Sequence, residues 1–352
     1  MNNNNDINIT MIGPLPPPYG GTTVYFEILQ EEVRQQPGIH LQVINTTAIA
    51  KSRGMERIHR LLHILAAAWS RPSPHRVISV HMSIGALAVF APWFVVVGKL
   101  NGTPVIIHRF GGDLIASQPW WRSMALWFGY RRCSAALVET RAQMAELAAV
   151  KFRTMWFPNI RKPPATPPEL KSRCQKFLYL SQIFPEKGVA ELLVAFSGLR
   201  QAGSDATLSI YGPILKDSFH ESDFAQPGVS YHGVVKPEDI YRVIAEHDAL
   251  ILPSYYKGEG YPGIIIEAFH MGLPVIATQW QSIPDIVDES CGLLVPPKDV
   301  TSLQEAMATL ENNEVLYSKL ASGALKQAHQ FSTETAVENY LGLCKKLVRE
   351  SA

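Results

Sequence analysis

Twelve short runs rich in β-branched and aromatic residues punctuate this 352-residue chain, and helix-like stretches separate them. In the first half they are INITMIG (7–13), IHLQVINTT (39–47), HRVISVHM (75–82), TPVIIHRF (103–110), AALVET (135–140) and TMWFPN (154–159). RKPPATPPELKSR (161–173) follows, with four prolines and no hydrophobic period, and reads as a linker. The rhythm then restarts with KFLYLSQ (176–182), ATLSIYG (206–212), VSYHG (229–233), ALILPS (249–254), PVIAT (274–278) and GLLVPP (292–297). Near-continuous apolar strands alternating with helices predict parallel sheets covered on both faces. The expected fold class is therefore α/β, with two doubly wound, Rossmann-like domains. The chain is also too long for one ordinary core.

The expected organisation is an N-terminal domain over 1–165, a C-terminal domain over 172–331, and a C-terminal helix over 332–352 that can pack back on the first domain. That last stretch, STETAVENYLGLCKKLVRE, opens with Ser/Thr caps and a glutamate and continues amphipathic. Ligands of doubly wound sheets lie beyond the carboxyl ends of the strands, so a cleft where two such domains face each other is the expected site.

Composition narrows the function classes. The formal net charge is +1, from 32 basic against 31 acidic residues, which argues against a general nucleic-acid binder. Four scattered cysteines with no CxxC pair suggest a reducing compartment and no structural zinc. The N-terminus, MNNNNDINIT, lacks the pattern of a secretory signal. The most apolar segment, IGALAVFAPWFVVVG (84–98), is shorter than the roughly 20 residues of a bilayer span and reads as a buried helix. A cytoplasmic protein is expected. No GxxxxGK[ST] loop, HExxH, GxSxG or D-x-D pair is present, and the first strand is followed by GPLPPPYGG and not by GxGxxG, which weighs against P-loop, zinc-protease, serine-hydrolase and nicotinamide chemistry.

Three stretches remain. In GPLPPPYGGTTVYFEILQEEV (13–33), Gly20 and Gly21 precede a helix that Thr22 or Thr23 caps, letting backbone amides approach an anion. In LSQIFPEKGVAELL (180–193), Lys187 and Gly188 stand at a helix start, where a lysine is unfavourable unless an anion shares the place. In EGYPGIIIEAFHMGLPVIATQW (259–280), Pro262 at or near the first helical position puts Glu259 ahead of the helix and Glu267 about one turn inside it. The amides between them suit sugar hydroxyls. A plain surface turn, a solvated lysine and a structural capping pair are the respective alternatives.

Taken together, the ordered set resembles the retaining glycosyltransferases of family 4, which have the GT-B architecture. The resemblance rests on GPLPPPYGG, PEKG (185–188), E-x7-E from Glu259 to Glu267, EAFHMGLPVIAT, GLLVPPKD, HRFGGDL (108–114) and FPNI (157–160), and covers nearly the whole chain. It implies two Rossmann-like domains facing across a cleft and a UDP- or GDP-linked nucleotide-sugar donor as substrate, with no cofactor and no metal. It implies that Lys187 neutralises the donor diphosphate, Glu267 binds the ribose hydroxyls and Glu259 faces the sugar near the anomeric carbon. By the same resemblance Gly263 and Ile264 hold sugar hydroxyls through their amides, beside Tyr261 and Pro262. Gly20 and Gly21 close on the phosphates, and His108 touches donor or acceptor sugar. Many members carry an arginine where this chain has Gln182, so the resemblance leaves one cation on the diphosphate unaccounted for, with Arg109 as a candidate substitute.

The resemblance further implies retention of configuration, a glycan or lipid-linked acceptor in surface polysaccharide or glycolipid biosynthesis, and domain closure across 161–173. Rival expectations are a nucleotide-sugar epimerase on the same architecture and a non-catalytic nucleotide-sugar-binding subunit. The basic segment 51–76, with six Lys/Arg and three His against one Glu around LLHILAAAW, points to peripheral contact with an anionic membrane, on the cytoplasmic face of the inner membrane.

Overall fold

All twelve runs form strands. The computed structural model describes residues 6–47, 62, 64–66, 69, 75–148, 153–215 and 218–351. It divides into two units, residues 1–160 with 333–352, and residues 161–332.

The first unit contains β1 (Ile7–Gly13), β2 (Ile39–Asn45), β3 (Arg76–Ser83), β4 (Val105–Phe110), β5 (Ala135–Val138) and β6 (Thr154–Trp156). They make one all-parallel sheet in the order β2-β1-β3-β4-β5-β6. Its helices are α1 (Gly21–Arg34), α2 (Ile84–Leu100), α3 (Trp120–Tyr130), α4 (Arg141–Ala148) and the C-terminal helix Thr333–Ser351, called α10 below. Successive strand side chains point to opposite faces, and the two cores of this unit follow that rule. Ile106 of β4 packs with α1 and the C-terminal helix, whereas Val105 and Ile107 pack with α2 and α3. Both faces are apolar because both are covered, as parallel sheets require. The C-terminal helix buries Tyr340, Cys344 and Leu347 against α1 and β3 and ends in an Arg153–Glu350 ion pair at 2.6 Å.

The second unit contains β7 (Lys176–Leu180), β8 (Thr207–Tyr211), β9 (Val229–Tyr231), β10 (Ala249–Leu252), β11 (Val275–Thr278) and β12 (Gly292–Val295). Its parallel sheet runs β12-β11-β10-β7-β8-β9, so chain direction across the sheet reverses between β7 and β10. The helices are α5 (Val189–Gln201), α6 (Ile240–Ala245), α7 (Gly263–His270), α8 (Val300–Asn312) and α9 (Glu314–Ala328), which precede α10. A reversal of this kind leaves a crevice outside the carboxyl ends of the two strands, since their crossovers depart to opposite sides. The loops after β7 and β10 carry Lys187 and Glu259.

One expectation holds and another changes. The apolar segment 84–98 forms α2, and no helix among the described residues is long and apolar enough to cross a membrane. The proline-rich stretch 161–173 is bound along the second unit: Lys171 Nζ donates to the His247 carbonyl at 2.6 Å and pairs with Asp248 at 3.0 Å. Tyr241 donates to the Lys162 carbonyl at 2.6 Å. Composition identifies a segment without its own periodicity, but not the surface that holds it. Most of the basic segment 51–76 lies outside the described residues.

Candidate functional site

The loop after β7 tightens through a single 3-10 turn, Pro185–Lys187, and Gly188 then adopts φ 74° before α5 begins. Two constraints meet at that glycine. Its backbone is left-handed, and an added Cβ would lie 2.1 Å from the Pro253 carbonyl oxygen. The close approach joins the loops after β7 and β10, and the Tyr255 amide donates to the Glu186 carbonyl at 2.8 Å across the same seam.

That seam sets the position of Lys187. Its Nζ lies 2.7 and 3.0 Å from the two carboxylate oxygens of Glu259, and the Ser254 hydroxyl donates to the same carboxylate. Both charged residues are buried, and the Phe184 and Tyr256 rings flank the ammonium at 6.0 and 5.5 Å. A buried ion pair is tolerable only when its remaining polar atoms are satisfied, as Ser254 does here.

Pro262 caps α7 and Gly263 is its first helical residue, in keeping with a proline at or near the helix start. The Ile265 amide makes the earliest bond, to the Pro262 carbonyl at 3.1 Å. Gly263 and Ile264 therefore precede it, as the first amides of a helix do. Glu267 follows one turn on, and its carboxylate accepts from Arg161 Nε at 2.9 Å. A Cβ on Gly263 would lie 1.7 Å from the Arg161 guanidinium, so only glycine lets this arginine lie over the start of α7. Burial raises the Glu267 pKa and the Arg161 charge opposes the rise. The amino end of α7 thus lies between two buried acid–base pairs.

Arg161 is the residue the sequence reading missed. It falls in a stretch read as linker, and no local signal marks it; the tertiary contact with Gly263 does. Arg109, the proposed substitute for the cation absent at Gln182, does not serve: it is fully buried in the first unit, 3.0 Å from Glu146 and 5.7 Å from the Tyr130 ring centre. Gln182 is exposed at the end of β7. Tyr261 is turned into the unit, its hydroxyl donating to Asp285 at 3.1 Å and its ring edge-on to Phe331. A direct sugar contact through that side chain does not fit its burial.

The remaining expected residues belong to the first unit. Gly20, rather than Thr22 or Thr23, caps α1, and its amide donates to the Thr23 hydroxyl at 3.0 Å. A Cβ on Gly20 or Gly21 would meet nothing within 4 Å. Packing therefore does not explain either glycine, and the space above them is open. His108 is different. It is fully buried on β4, with its Nδ1 2.9 Å from Nδ1 of His81 on β3 and Phe110, Phe157 and Tyr25 around it. Burial holds the His81 pKa down at about 3, and burial with the neighbouring His81 holds His108 well below its usual value. Both rings are neutral. The expectation that His108 touches a sugar conflicts with this enclosure; the motif HRFGGDL reveals its strand position but not its depth.

Among the described residues, no cluster of three or more His, Cys, Asp or Glu could hold a metal.

Residues 174–313 match the family described as Glycosyl transferases group 1. The resemblance read from the motifs therefore holds for group 1 glycosyltransferases over this segment. Among curated proteins, the chain is 28% identical over 199 residues to O-antigen chain mannosyltransferase B of Escherichia coli, covering 52% of this chain and 51% of that one. It is 27% identical over 144 residues to the putative teichuronic acid biosynthesis glycosyltransferase TuaC of Bacillus subtilis, covering 41% and 35%. The matches thus span about half or less of these relatives. Among solved structures, sucrose-phosphate synthase from Thermosynechococcus elongatus superposes with a TM-score of 0.74 at 16% identity, over 98% of this chain and 100% of that one. Anabaena HepE in complex with UDP gives 0.72 at 15%, over 96% and 98%. At such identities the likeness establishes the fold, which is GT-B.

Proposed function

We propose that this chain, which matches the Glycosyl transferases group 1 family over residues 174–313, is a retaining, metal-independent glycosyltransferase of family 4 type. It moves a sugar from a UDP- or GDP-linked donor to a glycan or lipid-linked acceptor in surface polysaccharide or glycolipid synthesis. The relatives named for O-antigen and teichuronic acid synthesis support that acceptor class, and the UDP complex of HepE supports a nucleotide donor.

The observation that carries this reading is the amino end of α7 held between the Lys187–Glu259 and Arg161–Glu267 pairs. An ammonium has three N–H donors, and Glu259 lies within reach of two, which leaves capacity for a phosphate oxygen. The first amides of α7 suit the hydroxyls of the donor sugar. The Glu267 carboxylate, paired with Arg161, suits the paired hydroxyls of a ribose. Fixed donors aimed at a departing diphosphate stabilise the charge that develops as the glycosidic bond breaks. The acceptor oxygen then bonds to the anomeric carbon on the face the nucleotide leaves, and its proton passes to the departing phosphate oxygen.

Thermal-shift screening against UDP- and GDP-sugars, followed by product analysis with acceptor, tests the assignment. Lys187→Ala should lower donor turnover by about a hundredfold or more, on the scale of one lost charge-stabilising donor. Unchanged turnover in that variant would remove the charge argument. An inverted anomeric configuration by NMR would remove retention, and a requirement for magnesium or manganese would remove metal independence. Conversion of donor to an epimer without acceptor would favour the epimerase.

A further inference from the structure

Exposed large apolar side chains are unevenly distributed. On α2 the exposed residues Val89, Trp93, Val96 and Leu100 fall at intervals of four, three and four, which places them along one face of the helix. The stripe covers eleven residue steps, or about 16 Å at helical rise. On α3, packed beside α2, Trp120, Trp121 and Met124 form a second exposed face, with Trp120 74% and Met124 64% accessible. Trp69 stacks on Trp93 at 6.4 Å and is itself exposed. The opposite faces of both helices are committed to the sheet.

Charge follows the same segment. Residues 84–134 contain Lys99, Arg109, Arg122, Arg131 and Arg132 but a single acid, Asp113, in a chain whose totals are 32 and 31. Arg109 is spent on Glu146 inside the unit. Arg122 lies over the Trp121 ring at 5.0 Å and Arg132 over Phe128 at 4.0 Å, while Lys99 and Arg131 are exposed. Lys99 and Arg132 line one shallow cleft at the carboxyl ends of the two helices.

Amphipathic tryptophans next to lysine and arginine suit a surface that is apolar just below and anionic on top. We propose that the α2–α3 face of the first unit docks on an anionic lipid bilayer. The two helices lie along the interface, with tryptophans at headgroup depth and the basic residues on lipid phosphates. Val89, Val96 and Leu100 of α2 and Trp120, Trp121 and Met124 of α3 are exposed among the described residues. The face takes only Trp69 from segment 51–76, rests on α2 and α3, and does not depend on the reaction assigned above.

Vesicle co-sedimentation with phosphatidylglycerol–phosphatidylcholine mixtures, against phosphatidylcholine alone, tests it. The full chain should partition to the anionic vesicles, and tryptophan emission should be quenched by brominated acyl chains. Trp120→Ser with Trp121→Ser, and separately Arg131→Glu with Arg132→Glu, should each weaken partition by about tenfold or more. All four residues are at the surface, so circular dichroism and melting temperature should not move. Val194→Ser with Val315→Ser, exposed apolar positions of the second unit, is the control and should bind like the parent. Equal binding to neutral vesicles, equal binding by the α3 variants, or no binding by the parent chain would each overturn the proposal. So would size-exclusion data showing a dimer that the tryptophan variants dissociate, because the face would then belong to a second copy.

Discussion

The two units share one architecture and place their buried polar groups differently. In the second, charge is buried as matched pairs, Lys187 with Glu259 and Arg161 with Glu267, at the point where the sheet order reverses. In the first, beside the pair of buried Arg109 with Glu146, the central strands bury a neutral His81–His108 contact among aromatic rings. Charged pairs at a strand end can be recruited by an anionic ligand, whereas the paired imidazoles are enclosed in the sheet and leave His108 Nε2 buried without a hydrogen-bond partner among the described residues. The difference indicates where ligand chemistry can occur. A common fold gives no such information, because function depends on the groups placed upon it.

Breaking one pair should give the largest effect. Arg161→Ala leaves Glu267 buried without its cation and should cost about 3–5 kcal/mol in urea denaturation. A loss below about 1 kcal/mol would mean that the pair is solvated, and the contrast between the units would collapse.

Acid should act on the units with opposite sign. The folded pKa values of His81 and His108 lie below the usual 6.5, so the unfolded chain binds more protons as pH falls. Their contribution is present above about pH 6.5 and is lost as pH falls toward 3, with a slope of about 1.4 kcal/mol per pH unit for each ring that titrates. Glu267 has a raised folded pKa, so its contribution runs the other way: present below about 4.5 and lost as pH rises through the folded value. Six of the seven tryptophans belong to the first unit, Trp280 being the exception, so fluorescence-monitored unfolding follows the histidine side. Between pH 7 and 4.5 that transition should weaken, and His81→Leu should flatten the dependence. A parent profile that is already flat would contradict the neutral pair.

Smaller effects sharpen the comparison. Ile107→Val trims one methyl group between the first sheet and α2, and should cost about 0.5–1.5 kcal/mol by thermal melting. Arg153→Ala removes an ion pair whose side chains are 41% and 44% exposed, and should cost under about 1 kcal/mol. If the surface pair mattered more than the buried methyl, attachment of the C-terminal helix would rest on charge rather than on Tyr340 and Leu347.

Much of the fold is legible in the chain because parallel strands leave a local mark. INITMIG and KFLYL are short runs rich in β-branched or aromatic residues, and each became the strand expected. The loops after β7 and β10 were also legible, since Gly188 and Pro262 mark helix starts whatever lies around them. Depth was not. HRFGGDL gives no sign that His108 is enclosed, and EGYPG gives none that Tyr261 turns inward to Asp285.

Order along the chain thus fixed the strands, their covering helices and the places where helices begin, because hydrophobic period and backbone preference act between near neighbours. Only the tertiary structure decided who meets whom. Arg161 lies 106 residues from Glu267, and Lys187 lies 72 from Glu259. No local preference encodes such a meeting. It follows from how the sheet orders its strands and from a glycine whose missing side chain leaves room for a guanidinium.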